Sequence, residues 1–104
     1  MPRWLPGILS RVHALASAGR VRFTHKAFRE LVGLGLGLDH EDCCEVLMRL
    51  TRSDSAGRIE STITREWMYL FNPRVAGTRL YMKLILRGDC IVVSFHEENV
   101  EDVH

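Results

Sequence analysis

Arg79, Tyr81 and Lys83 alternate along one stretch of the chain, and Ser94 and His96 alternate along the next. These are the side chains whose types and spacing could do chemistry together. Gly88-Asp89 between them fits a two-residue hairpin turn, which sets Arg87 opposite Cys90. Lys83 then stands opposite Ser94 and Tyr81 opposite His96, and directly opposed Cβ atoms lie ~5 Å apart on one face. Met82, Leu84, Val93 and Phe95 fall on the other face. The register is open to test, because a slip of one would bury His96 and expose Phe95.

Such a set suits cleavage of single-stranded RNA without a metal. That reaction needs a base for the ribose 2′-OH, an acid for the leaving 5′-oxygen, and cations for the charge that builds on phosphorus. A histidine exchanges protons near neutral pH, so His96 is the candidate acid or base. Tyr81 can donate a proton or hydrogen bond, and Lys83 is a candidate phosphate clamp. Arg79, on the same face, is a candidate substrate contact. The plain alternative is a solvated strand face. His13, His25, His40 and His104 show no metal-ligand spacing with one another, and no metal or cofactor is expected.

The elements that must position these residues change character along the chain. Ile8, Leu9, Val12, Leu15 and Ala16 recur at helical spacing, with Gly19 as the stop. Residues 20–23 read as a short extended connection. Thr24 caps a second helix with Ala27, Phe28, Leu31 and Val32 on its inner face. The glycines of 33–38 recur every second residue, so they form an elbow and not a dinucleotide fingerprint. Asp39 caps a third helix with Cys43, Val46, Leu47 and Leu50 as its buried stripe, and residues 51–63 read as a loop leading into a short strand.

From there the period is two. Trp67, Tyr69 and Phe71 share one side of a strand and Met68 and Leu70 the other, until Asn72-Pro73-Arg74 stops the run. Leu80, Met82, Leu84 and Leu86 point inward from the next strand. Helices first and a meander afterwards predict an α+β domain, with N-terminal helices packed on a C-terminal antiparallel β-sheet.

Length and composition set the bounds. A chain of 104 residues, 46% hydrophobic and 26% charged, supports one folded domain. The expected domain is 1–96, followed by an acidic tail, 97–104, that holds Glu97, Glu98, Glu101 and Asp102. Without those four acids the body keeps 14 basic and nine acidic residues, a balance suited to a polyanion. No apolar run reaches the ~18–20 residues of a membrane span. Three cysteines, two adjacent, make a poor disulfide framework, so a cytoplasmic setting is expected.

The same residues carry a family resemblance. Leu9-Ser10-x-Val12, Ala18-Gly19-x-Val21-Arg22 and Leu36-Gly37-Leu38-Asp39 resemble segments of the MqsR-type mRNA-interferase toxins. The stretch from Trp67 through Pro73-Arg74 and Tyr81-x-Lys83 to Ile91-Val92-Val93-Ser94-Phe95 is the most specific. The resemblance spans residues 9–96. It implies a RelE-like fold, mRNA cleavage that inhibits translation and growth in a bacterial cytoplasm, and an MqsA-type antitoxin partner. It also implies that Tyr81 matches an active-site tyrosine. His96 stands where the family has a lysine; Met68, where it has a glutamine, is a candidate substrate contact; and Arg58, within one residue of a loop lysine, joins Arg74 and Lys83 as candidate phosphate clamps. The alternative is a non-catalytic toxin-fold interaction module, or an RNA- or ribosome-binding domain.

Overall fold

In the computed structural model, which describes residues 2–99, helix α1 (Leu5–Ser17) buries Leu5, Leu9, Val12 and Ala16. Gly19 ends it at φ +71°, a left-handed conformation that glycine adopts without steric cost, and Arg20 N–H closes the turn on Leu15 C=O at 2.8 Å. Strand β1 (Val21–Phe23) follows. Thr24 Oγ1 then accepts the Ala27 N–H at 3.1 Å and starts α2 (His25–Gly33).

Only Ala27 and Leu31 of α2 are buried; Phe28 and Val32, expected on the inner face, are 51% and 66% exposed. The reason is where the helix lies. Beyond Phe23 the chain leaves the strand ladder, and α2 runs along the edge of the strand that β1 had paired with. Thr24 N–H donates to Val92 C=O at 3.1 Å, and Glu30 Oε1 accepts Phe95 N–H at 3.0 Å. A helix seated on an edge covers a narrower stripe than one seated on a face.

The glycine elbow turns through Gly35 and Gly37, both at φ +68°, and Leu34 and Leu38 reach back to the core. Helix α3 (His40–Met48) opens with a reciprocal capping box: Asp39 Oδ1 accepts Asp42 N–H at 2.8 Å, and Asp42 Oδ2 accepts Asp39 N–H at 3.0 Å. Cys43, Cys44 and Leu47 are buried on it, and Leu50 just beyond. The expected loop of 51–63 is more ordered than its polarity suggests. It holds a 3₁₀ turn (Arg52–Asp54) and a six-residue strand β2 (Ser55–Glu60), with a bulge at Ser55–Gly57 where Gly57 has φ +98°.

Strand β3 (Trp67–Phe71) pairs with β2 and β5, and β4 (Arg74–Val75) turns through Ala76-Gly77, both at positive φ, onto β5 (Thr78–Leu86). Strand β6 (Cys90–Glu97) completes a six-stranded sheet of order β1-β6-β5-β3-β2, with β4 paired to β5 off that path. The fold is α+β, but the sheet is mixed where an antiparallel one was expected. β1 lies parallel to β6, Val21 opposite Cys90. A parallel pair needs a long crossover, and nearly the whole of the chain between Phe23 and Cys90 supplies it. The core joins α1 and α3 to β3, β5 and β6 through Leu9, Val12, Leu47, Phe71, Met82 and Phe95.

The β5–β6 hairpin departs from expectation twice. Leu86, not Arg87, is paired with Cys90, so the loop is residues 87–89, with Arg87 N–H donating to Asp89 C=O at 3.0 Å. Further on, Leu84 pairs with Val92 while Lys83 pairs with Ser94, so Val93 is a bulge residue. The longer loop and the bulge offset one another, and Tyr81–His96 and Lys83–Ser94 pair as expected. The cost of the bulge falls on Val93. Val92 takes its expected core place, and Val93 is half-buried beside Lys26, Met68 and Ile85.

Candidate active site

Alternation along β5 and pairing with β6 put Tyr81, Lys83, Ser94 and His96 on the face opposite the core. The Tyr81 and His96 rings are stacked, centroids 5.0 Å apart and planes 9° from parallel. Lys83 Nζ lies 5.8 Å from the Tyr81 ring centroid. His96 Nδ1 lies 2.7 Å from the Glu97 carbonyl oxygen. Donation from Nδ1–H to that oxygen leaves Nε2 as the nitrogen that can take up a proton.

This face is not the solvated surface expected of it. Lys83 and Ser94 are fully buried and His96 is 5% exposed, whereas Tyr81 is half-buried. Over Ser94 and His96, α2 contributes to the cover. Lys26 Nζ donates to Ser94 Oγ at 3.0 Å and pairs with Glu30 at 3.3 Å. Glu30 Oε2 lies 4.0 Å from His96 Nε2. An acid and a lysine from the helix therefore join the strand residues in one polar cluster. Lys26 and Glu30 were not among the residues singled out from the sequence. Their signal was the i,i+4 Lys–Glu spacing beside the buried positions Ala27 and Leu31.

The other candidates are distributed. Arg58 is the register partner of Tyr69 and belongs to the core face, where its guanidinium sits 3.8 Å from the Trp67 ring centroid and 4.9 Å from that of Trp4. The structure does not bring it to Tyr81 and His96. Arg74 pairs with Arg79 across β4–β5, and it borders an open cavity of about 300 Å³ whose wall also carries Asp42, Glu45 and Asp54. Arg79 donates to Asn72 C=O at 3.1 Å and pairs with Glu98 at 3.5 Å. Of the expected acidic tail, Glu97 is the last residue of β6, opposite Leu80, and Glu98 makes this ion pair; Glu101 and Asp102 lie outside the described residues. Met68 is half-buried and opens onto a cavity of about 470 Å³ beside the polar cluster.

Two of the other histidines are bonded to the backbone: His13 Nε2 to Leu50 O at 2.8 Å and His40 Nε2 to Val21 O at 2.9 Å. Among the described residues no group of three or more His, Cys, Asp or Glu could hold a metal ion. No helix there is long and apolar enough to cross a membrane. Cys43, Cys44 and Cys90 are free and buried, and burial pushes the Cys43 and Cys90 thiols up to about 12.

A small α+β domain with a tyrosine stacked on a histidine beside a buried lysine is the class of structure found here. Residues 7–97 match the family described as "Motility quorum-sensing regulator, toxin of MqsA". The mRNA interferase toxin MqsR of Escherichia coli (strain K12) is 33% identical over 91 residues, which cover 86% of this chain and 91% of that protein. The chain belongs to the MqsR toxin family.

Proposed function

We propose that the protein is the toxin of a type II toxin–antitoxin pair, an endoribonuclease that cuts single-stranded mRNA in the bacterial cytoplasm and so stops translation and growth. Family membership supports the reading, as does the name of the E. coli relative, an mRNA interferase. The observation that carries the chemistry is the stacking of Tyr81 on His96 with Lys83 behind them. The helices and sheet form a RelE-like fold in this reading, and an MqsA-type antitoxin is the partner that neutralises the toxin.

The mechanism is acid–base transesterification. A base removes the 2′-OH proton, the 2′-oxygen attacks the adjacent phosphorus, and the P–O5′ bond breaks as an acid protonates the departing 5′-oxygen. The products are a 2′,3′-cyclic phosphate and a free 5′-OH. His96, through Nε2, is the acid or base. Tyr81, the more exposed of the two rings, donates its hydroxyl to the reacting phosphate or base. Lys83 supplies fixed positive charge behind the site, and Arg74 and Arg79 supply it nearer the surface. Arg58, on the other face, is left out of the phosphate-binding set. With His96 as the base that takes the 2′-OH proton, the Tyr81 hydroxyl is the donor left to protonate the departing 5′-oxygen, and no step is routed through a metal.

Induced expression in a bacterium, with and without the adjacent antitoxin gene, tests the reading. Growth arrest relieved by the antitoxin is expected, together with RNA cutting by purified protein in EDTA. Absence of both toxicity and cutting would leave a non-catalytic member of the family. Cutting that disappears on chelation would overturn the metal-free mechanism.

A further inference from the structure

The cavity beside the polar cluster has a floor that the catalytic reading does not use. Met68, Ile85 and Val93 line it from three different strands, and Ile59 adds a fourth. Its far wall is the β2–β3 turn, with the hydroxyls of Ser61, Thr62 and Thr64. The volume, about 470 Å³, lies within the ~300–1,000 Å³ usual for small-molecule sites.

Its place in the fold is set by register. Ile85 is two residues from Lys83 along β5, on the same face. Met68 is two residues from Leu70, which pairs with Lys83. Lys26 belongs to both places: it lines the cavity, and its Nζ donates to Ser94 Oγ beside His96. The cavity is thus the direct continuation of the Tyr81–His96 face, with a cation at the junction. A nucleotide chain crossing from one to the other would set a phosphate near Lys26 and the next base over Met68.

We infer that this cavity receives one unstacked nucleobase of the RNA, next to the bond that is cut, and selects it. The inference rests on the ribonuclease reading and adds the residues that choose the site. Sequence-selective contact with single-stranded RNA needs a base to leave its stack, an apolar surface to cover its faces and polar groups to meet its edge. Here Met68, Ile85 and Val93 supply the apolar surface, with the Met68 thioether able to sit against an aromatic ring. Ser61 and Thr64 already accept backbone N–H groups of the turn and keep a hydroxyl proton to donate, while the Thr62 hydroxyl can donate or accept, so together they suit the mixed edge of a base. A folded protein segment would need a longer groove, and a phosphate alone would need more cations than Lys26.

The test separates this inference from the reading beneath it. Short 2′-O-methyl homopolymers of the four bases cannot be cleaved, so their binding reports recognition without catalysis. Wild-type protein should prefer its best base over its worst by about tenfold or more. Thr62→Trp, which fills the cavity from an exposed wall, should bring that ratio near one. Met68→Ala, from the floor, should lower it and change which sites are cut in unmodified RNA. Equal binding of all four homopolymers, or a preference that survives both substitutions, would overturn the inference even with cleavage intact. Loss of the ribonuclease reading would be seen separately, as intact unmodified RNA.

Discussion

The Tyr81 and His96 rings lie face to face, 5.0 Å apart and 9° from parallel, on adjacent antiparallel strands where the two residues are direct partners. The stack leaves the tyrosine half-buried and the histidine 5% exposed. Tyr81 is therefore the outer member of the pair and His96 the inner. On its remaining side His96 meets Glu30 of α2, so the helix edge contributes to the environment of the proposed acid–base group.

Glu30 links the helix to the sheet, and its removal should cost stability. Its carboxylate accepts the Phe95 N–H on the stretch of β6 beyond β1 and pairs with Lys26. Glu30→Ala would leave that strand-edge donor without its acceptor, at ~1–3 kcal/mol. A domain of this size should lose about 4–8 °C in Tm per kcal/mol. Glu30→Gln keeps an acceptor oxygen and should lose less. Thermal unfolding of the two variants checks this, and equal losses would show that the charge matters and the Phe95 bond does not.

Glu66 and Arg87 make a two-bond pair at 2.6 and 2.8 Å, tying the end of the β2–β3 turn to the β5–β6 loop. Hydrogen bonding from the Arg87 guanidinium first, then from Thr64, and last the Arg87 charge lower the Glu66 carboxyl to about 2 from an ordinary 4.5, against an upward push from burial. A lowered folded-state value stabilises the protein above the unfolded value. That contribution is complete above 4.5 and is lost as pH falls toward 2. Carboxyl NMR titration should find the Glu66 midpoint near 2 in the wild type, and near the ordinary value in Arg87→Ala.

The thiols offer a check on the core. Cys43 and Cys90, pushed up to about 12 by burial, stay protonated near neutrality, and burial raises Cys44 as well. A thiol reagent at about pH 8 should label none of the three quickly in the native protein and all three after denaturation. Rapid native labelling of Cys90 would mean that the β1–β6 pairing opens readily.

Glu98 holds Arg79 at 3.5 Å, with both side chains well exposed. Glu98→Gln should free the guanidinium for phosphate, tighten RNA binding at low salt and steepen its salt dependence. Unchanged affinity and slope would remove Arg79 from the RNA-binding set.

Much of the site was legible because alternation survives local errors. Residues 79–87 and 90–96 pair Tyr81 with His96 even though the turn is a residue longer than Gly88-Asp89, since the Val93 bulge takes up the difference. The burial of Ser94 and His96 was not legible. It depends on α2 packing beside a strand that comes some sixty positions later in the chain, and nothing local to those two residues announces that cover. Nor was the place of Arg58, for a related reason. Its face is fixed by the Ser55–Gly57 bulge and by pairing with Tyr69, in a segment whose polarity reads as loop. The parallel place of β1 also escaped, because three residues carry little period of their own.

The most direct measurement is the rate of RNA cutting in EDTA across pH for wild type, His96→Ala, His96→Lys and Tyr81→Phe. Folding is followed in parallel, because His96 is buried. The account predicts no cutting by a folded His96→Ala protein. It predicts retained cutting by His96→Lys without the near-neutral inflection that histidine contributes, and a loss of about 10²-fold or more for Tyr81→Phe. A folded His96→Ala protein that cuts at the wild-type rate, with an unchanged pH profile, would contradict it.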